Sequence, residues 1–517
     1  MKKYYSLKIS FLAASVLFTA SACDLETEPT TSLSANGIFS STDNAEKVLT
    51  GTWYNLQESF YTYRAPGWST IGLTSDAMGS DVVVNTRYGY ANMYALTAAY
   101  GKTDYVDDLS WELGYETINN ANGVIANVDK ASGNQSDINR IKGQALALRG
   151  FIYTHFASTH SFAIDKDPNA VCVPIYTEPT DEQTALTGNP AASVSEVYAQ
   201  AISDLEEALS LIPESYSRPA KWKIDRQVVL GLLARATLYA REWQKAADYS
   251  AQLLALNPYI MTEEEWKSGF NLIDNNEWIW GHPQTTEQQN SSYHFHFLDT
   301  TSEGIYYHSF NVDPFFLDKY DDGDYRKSLI HWGLVPGSDQ ATNTELYLRN
   351  GKFRIRSFEG EDGVGDYVML RTSEIYLINA EANARLGNTA KALTSLNAIR
   401  SARGAKVAAE GDDLVEETLL ERRRELWGEG LSLIDIIRNQ KSIERKDWGM
   451  QEVDYTYTDE EGNVQHRQIP GQGHRFLNFP DGTPYSANSK YYLFRIPNSE
   501  ENTNANLYSV HPKLDIY

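Results

Sequence analysis

Cysteine is nearly absent from this chain of 517 residues: there are two, Cys23 and Cys172, too few for a disulfide framework. Cys172 sits in the apolar run Val171-Cys172-Val173 with no histidine or charged neighbour to activate it, so it reads as a small buried hydrophobe. Long apolar runs are also missing. Beyond the leader, no stretch approaches the roughly 20 residues that a helix needs to cross a bilayer. Positive charge is scarce as well, with 45 Lys and Arg against 69 Asp and Glu for a net charge of −24. A field of that sign repels phosphate backbones, which argues against nucleic acid as a partner.

The first residues carry Lys2, Lys3 and Lys8, then an apolar run from Ile9 to Phe18, then small residues, the pattern of a secretory signal peptide. Ala20-Ser21-Ala22-Cys23 resembles the lipobox of bacterial lipoproteins, with alanine where an aliphatic residue is usual, and Cys23 becomes the lipidated N-terminus. Cleavage by an ordinary signal peptidase is the alternative. Several acyl chains would anchor firmly, since one alone binds marginally and each buried methylene adds about 0.8 kcal/mol. Asp24, Glu26 and Glu28 follow, and Thr30 to Ser34 continue as a polar tether.

Helical periodicity dominates Thr42 to Phe162 and Ser195 to Leu256 and returns from Val368 to Arg438. Asp43 and Glu46 suggest a capping box at the first helix. Trp111, Tyr115, Ile118, Ala121 and Ile125 share one face of another, which predicts that the face is buried. Sliding the chain on itself aligns Ala234 with Ala380 and Lys245-Ala246 with Lys391-Ala392, an internal repeat of paired helices. Pro258 after the second helix of the first copy fits a tetratricopeptide unit. Ala201, Leu205, Ala208 and Pro213 repeat the second-helix spacing, with Asn139 to Phe162 as the partner helix before an insertion from Ala163 to Ala192. Such pairs bury a core only by stacking. The predicted fold is therefore mainly α, a tetratricopeptide-like superhelix with long irregular insertions. A few short strands are expected, for example at Trp278-Ile279-Trp280 and Tyr492 to Ile496.

Five segments in order are similar to the SusD/RagB family of outer-membrane lipoproteins from glycan-using bacteria. They are Glu116 to Asn122, Gly143 to Gly150, Leu370 to Ala382, Glu421 to Leu426 with Asp435 and Arg438, and Ile496-Pro497. Gln144 and Gly150 depart from the more usual glutamate and alanine. The resemblance implies a non-catalytic, surface-exposed protein that holds an oligosaccharide and delivers it to a SusC-type TonB-dependent transporter. Capture of peptides, as in RagB-like members, is the alternative. It further implies that the acidic residues after Cys23 mark export to the outer face. The chain then divides into a leader at 1–22, a lipidated tether at 23–40 and one domain at 41–517. Helix pairs fall at about 105–256 and 368–438, and loop-rich regions at about 62–104, 260–367 and 441–517.

A glycan site needs flat rings with amide, carboxylate or guanidinium groups at their edges. The loop segments offering that mixture supply the candidates Trp68, Asp76, Arg87, Tyr88, Tyr90, Asn92, Trp280, Tyr293 and Tyr306, with Asp81, Tyr94, Gln284 and Tyr307 beside them. No pair of carboxylates is singled out for glycosidase chemistry. His294 and His296 alternate as though both faced solvent from one side of a strand, without a third ligand for zinc. Asp318, Asp321, Asp322 and Asp324 raise calcium as a cofactor, against the simpler reading that Asp324 pairs with Arg326. The run Glu421 to Glu425 reads as helix-surface pairing, extended by arginine bonds to Glu381 or Asp435.

Overall fold

The computed structural model describes residues 35–85, 89–98, 102, 105–288, 293–302, 305, 307–356, 364–459 and 461–514. Cys23 with the leader, and the site candidates Arg87, Tyr88 and Tyr306, lie outside the described residues.

The chain enters through α1 (Thr42–Glu58), followed by α2 (Ser69–Met78), α3 (Tyr105–Asn127), α4 (Gln135–Thr159) and α5 (Val194–Leu211). The first repeat copy is α6 (Arg226–Tyr239) with α7 (Trp243–Leu256). A short α8 (Tyr293–Leu298) precedes the second copy, α9 (Thr372–Arg385) with α10 (Thr389–Ala402), and α11 (Leu414–Glu425) and α12 (Ser432–Arg438) close the series. The alignment of the two copies is physical: Ala234, Ala246, Ala380 and Ala392 are all buried where paired helices meet. Helix α7 packs on α9, so the copies stack as tetratricopeptide-like units do.

Small residues set how closely α4 and α5 approach. A Cβ at Gly143 would lie 3.1 Å from the Ala208 carbonyl oxygen, and one at Gly150 only 2.9 Å from that of Ala201. The glycine at 150 thus accommodates a tight crossing. Trp111, Ile118 and Ala121 are buried and Tyr115 and Ile125 half-buried, as the spacing predicts.

The described strands pair only as two-stranded antiparallel ribbons: β1 (Phe60–Thr62) with β2 (Ala65–Pro66), and β3 (Val82–Val84) with β7 (Phe310–Val312). Likewise β4 (Val171–Pro174) pairs β5 (Ala191–Ser193), and β6 (Trp278–His282) pairs β10 (Tyr367–Arg371). The others are β8 (Ile330–Leu334) with β9 (Leu346–Asn350) and β11 (Glu452–Thr458) with β12 (Val464–Pro470).

Two local expectations fail for identifiable reasons. Ser41, rather than Asp43, caps α1 by accepting from the Asn44 amide at 3.3 Å. Glu46 is drawn away to Arg140 at 2.9 Å and to Lys223, because charge-assisted bonds outweigh one amide. The segment Tyr492 to Ile496 is no strand: its amides are taken by the Thr159 carbonyl at 2.9 Å and the Asp107 carboxylate at 3.2 Å.

Buried charge ties the second half together. Glu425 accepts from Arg371 at 2.8 Å, Arg403 at 2.9 Å and Arg326 at 2.6 Å. Glu277 shares Arg371 at 2.5 Å and Arg403 at 3.4 Å, and Glu429 takes Arg371 and Lys352. Arg403 lies 4.4 Å over the Trp266 ring. Nearby, Arg438 grips Glu381 through two bonds of 2.7 Å, and Arg422 meets Asp435 at 2.8 Å. The run Glu421 to Glu425 is therefore a structural junction reaching other elements, more than the surface pairing its spacing suggests.

Asp324 is committed to Arg326 at 2.6 Å, Asp322 faces Lys327 at 3.1 Å, and Asp321 accepts from the Lys406 amide at 3.0 Å. Those cations and donors already occupy most of the carboxylates proposed for calcium.

Burial pushes the Glu425 carboxyl up, but Arg403, Arg371 and Arg326 outweigh it and hold it well below the carboxylate range. A depressed carboxyl contributes stability that is complete above its unfolded pKa and lost as pH falls through the folded one. Replacing Glu425→Gln should cost about 3–5 kcal/mol in urea titrations at pH 7, because it removes the one carboxylate that three buried guanidinium groups share. The gap between variant and parent should narrow as pH drops below about 4.

Candidate functional site

Four of the residues expected to face ligand are core. Helix α2 is small or apolar on nearly every side, and such a helix is buried all round. Trp68 at its start packs on Phe151 at 5.5 Å and His155 at 4.8 Å. Asp76 near its end accepts from the Gly430 amide at 2.9 Å and the Ser432 amide at 3.3 Å. Burial outweighs these donors and lifts its carboxyl to about 7.

Tyr90 stands edge-on to Phe297 at 4.7 Å and Phe310 at 5.2 Å, and its hydroxyl donates to the Arg64 carbonyl at 2.9 Å. Trp280 points inward from β6 to Trp53 at 4.7 Å and Phe151 at 5.2 Å. None of the four can lay a face or an edge against dissolved sugar. Among their neighbours, Asp81 pairs with Arg423 at 2.6 Å, Tyr94 contacts His474 at 2.7 Å, and Gln284 is buried against Glu58. Asn92 is exposed, with its carbonyl accepting from the Thr97 amide at 3.0 Å.

Tyr293 belongs to a different environment, a continuous row of rings at the surface. Phe60 meets Tyr293 at 5.1 Å, Tyr293 meets His296 at 5.6 Å, His296 meets Tyr307 at 5.4 Å, and Tyr307 meets Tyr63 at 5.2 Å. Tyr63 is 38% exposed, and Tyr61 beside it 45%. Phe60, Tyr293 and Tyr307 are half-buried.

Three segments supply the row: the β1–β2 hairpin, helix α8, and the stretch before β7. The histidines are helical rather than strand-borne, which corrects the reading from their alternation. On a helix, residues three apart share a face, so Tyr293 and His296 line up, with His296 buried beneath the row, while His294 turns aside to meet Tyr367 at 4.8 Å. Burial drives His294 down to about 3 and His296 to about 4, the latter with help from His308. His296 therefore behaves as a neutral ring at physiological pH.

Each segment is braced from beneath. Tyr307 stacks on Phe297 at 4.8 Å and 27°. His308 takes a left-handed φ of 45°, held because Asn85 donates to its carbonyl at 2.9 Å while its ring nitrogens meet the Asp299 and Ile305 carbonyls. That turn aims Tyr307 outward. Trp53 donates its indole N–H to His282 Nδ1 at 3.0 Å, so this imidazole carries its proton on Nε2 and donates to Glu58. Gln284 donates to the same Glu58 oxygen at 2.6 Å, fixing the helix end from which Phe60 departs.

Polar groups border the rings. Tyr61 donates to Glu112 at 3.0 Å, and the Arg64 guanidinium reaches the Gly89 carbonyl at 3.3 Å. Burial and the Glu112 carboxylate together raise the Tyr61 hydroxyl to about 12, so it stays protonated as a donor.

The sequence reading missed Phe60, Tyr61 and Tyr63. Three aromatics within four residues, just past a helix end and too few to form a core of their own, are the signal that could have located them.

The chain is 56% identical to a SusD-like carbohydrate binding protein from Bacteroides vulgatus, whose solved structure superposes with a TM-score of 0.89 over 93% of this chain and 100% of that one. The protein belongs to the SusD/RagB family. Residues 276–512 of this SusD-family chain match the model described as the SusD family, and residues 41–238 match one described as starch-binding associating with outer membrane. SusD-like protein P38 of Formosa agariphila is 24% identical over 510 residues, spanning 86% of this chain and 93% of that protein. A putative sugar binding protein from Bacteroides vulgatus, 23% identical, shares the fold with a TM-score of 0.73 over 91% of this chain and 98% of that one. The SusD family is one of non-catalytic binding proteins.

Because Tyr90 is core, Tyr90→Ala should lower stability by about 3–5 kcal/mol, the range for deleting a buried ring. Chemical denaturation would show this, and a loss under 1 kcal/mol would contradict the placement.

Proposed function

We propose that this protein is an outer-membrane lipoprotein, anchored through Cys23 and facing the cell exterior, that captures oligosaccharides on the ring row and passes them to a SusC-type TonB-dependent transporter. The observation that carries the reading is the unbroken succession Phe60, Tyr293, His296, Tyr307 and Tyr63, in which buried His296 links four rings that are exposed or half-buried, bordered by Glu112 and Arg64. Ring faces suit the C–H surface of a pyranose, and border groups suit its hydroxyls. Convergence of a few polar groups on an apolar lining is the general form of a ligand site.

The match to a carbohydrate binding protein across nearly the whole chain supports the same reading. So does the acidic surface: at −24 it disfavours polyanions and leaves neutral glycans as the better-suited cargo. Lipid attachment and the transporter partner rest on the leader sequence and the family.

Affinity electrophoresis through gels containing different neutral polysaccharides should show retardation by at least one. Tyr63→Ala, at an exposed position, should weaken binding to that glycan about tenfold, equivalent to roughly 1.4 kcal/mol, with the urea midpoint unchanged. Retention of none of the polysaccharides, alongside calorimetric heats with mixed oligopeptides, would transfer the role to peptide capture. Cys23→Ala should abolish incorporation of labelled palmitate in the expressing cell; continued labelling would place the acyl chains elsewhere.

A further inference from the structure

Beside the ring row, on the adjoining face of helix α3, lies a cleft that the capture reading does not use. Its volume is about 200 Å³, whereas one water needs only about 10–15 Å³ of such space. One wall is aromatic. Trp111 and Tyr115 of α3 lie 4.7 Å apart, and Tyr176 from the insertion stands edge-on to Tyr115 at 5.7 Å. The facing wall comes from the short helix Glu182–Thr187 and from the chain near Glu500.

Unlike a dry packing defect, this cleft has hydrogen-bonding capacity left over. The Tyr176 hydroxyl accepts from the Asn189 amide at 2.9 Å, which leaves its O–H to donate. Asn119 uses its carbonyl oxygen to accept from the Thr180 amide at 2.9 Å, which leaves its NH2 group to donate. Glu500 accepts from Asn504 through Oε1 at 2.7 Å, which leaves Oε2 as an acceptor. Rings flanked by the Tyr176 and Asn119 donors, with the Glu500 acceptor facing them, form the same kind of mixture that the ring row presents.

Position adds meaning to composition. Trp111 lines the cleft, while its neighbour Glu112 accepts from Tyr61 at the border of the row. The two sites occupy adjacent faces of one helix, and a helix with its side chains is about 10–12 Å across.

We propose that the cleft is a second sugar subsite, and that one glycan chain of several residues occupies row and cleft together, wrapping α3. This rests on the capture reading. A chain held at both points gains from the high local concentration of its second segment, so affinity should climb with chain length beyond what either site alone would give.

Calorimetry on the full mature chain, with the disaccharide and the heptasaccharide of starch, xylan, mannan and laminarin, tests this. Two variants address the cleft at exposed positions: Asn119→Ala removes a donor, and Ala185→Trp fills the opening. For the glycan that binds, both should weaken the heptasaccharide, Ala185→Trp by about fivefold to tenfold, and leave the disaccharide unchanged. Tyr63→Ala should weaken both lengths. Heptasaccharide affinity within about twofold of the parent in both cleft variants would overturn the subsite while leaving capture on the row intact. Absence of binding by the parent protein to every sugar would overturn the capture reading and the subsite with it.

Discussion

Three guanidinium groups converge on the Glu425 carboxylate in a region closed to water, and most of the second half of the molecule is arranged around that convergence. Arg371 arrives from the end of β10, Arg403 from the end of α10, Arg326 from the turn before β8, and Glu425 from the end of α11. Breaking one partner of such a cluster leaves uncompensated charge in a low-dielectric interior, so its geometry tolerates little drift. Glu277 extends the cluster to the start of β6, and thereby to the strand that ends at His282.

The ring row lies at the far end of that chain of constraint. His282 connects β6 to Glu58, Glu58 fixes the end of α1, and the turn carrying Phe60 and Tyr63 starts there. Tyr307 is set independently, by Asn85 and the left-handed His308. The proposed ligand surface is thus mounted on hydrogen bonds and stacked rings rather than on its own cohesion. That is how loops gain precision from a rigid scaffold.

The helical scaffold was legible because its signals are local and redundant. Ala234 and Ala246, and Ala380 and Ala392 at the same offset in the second copy, mark positions where small residues let helices meet. The site was far less legible, because an aromatic side chain has the same composition whether it fills a core or faces water. Trp68 and Trp280 are large rings in irregular-looking sequence, which suits a ligand platform, yet their size also lets them fill the space between helices. Tyr293 was found and Tyr63 was not, although the two belong to one row. Partners more than 200 residues apart leave no joint trace in a single sequence. His294 and His296 show a related ambiguity: alternation over five residues fits a strand, yet the same residues complete a turn and a half of helix.

Because Phe60, Tyr63, Tyr293 and Tyr307 are contributed by separate segments, each braced by its own neighbours, the rings can be exchanged one at a time without disturbing the charge cluster or the helix crossings. On the proposed role of the row, a lineage could retune which food it recognises through single replacements there, while the machinery for folding stays unchanged. Diversification of diet would then proceed by small steps from one inherited frame.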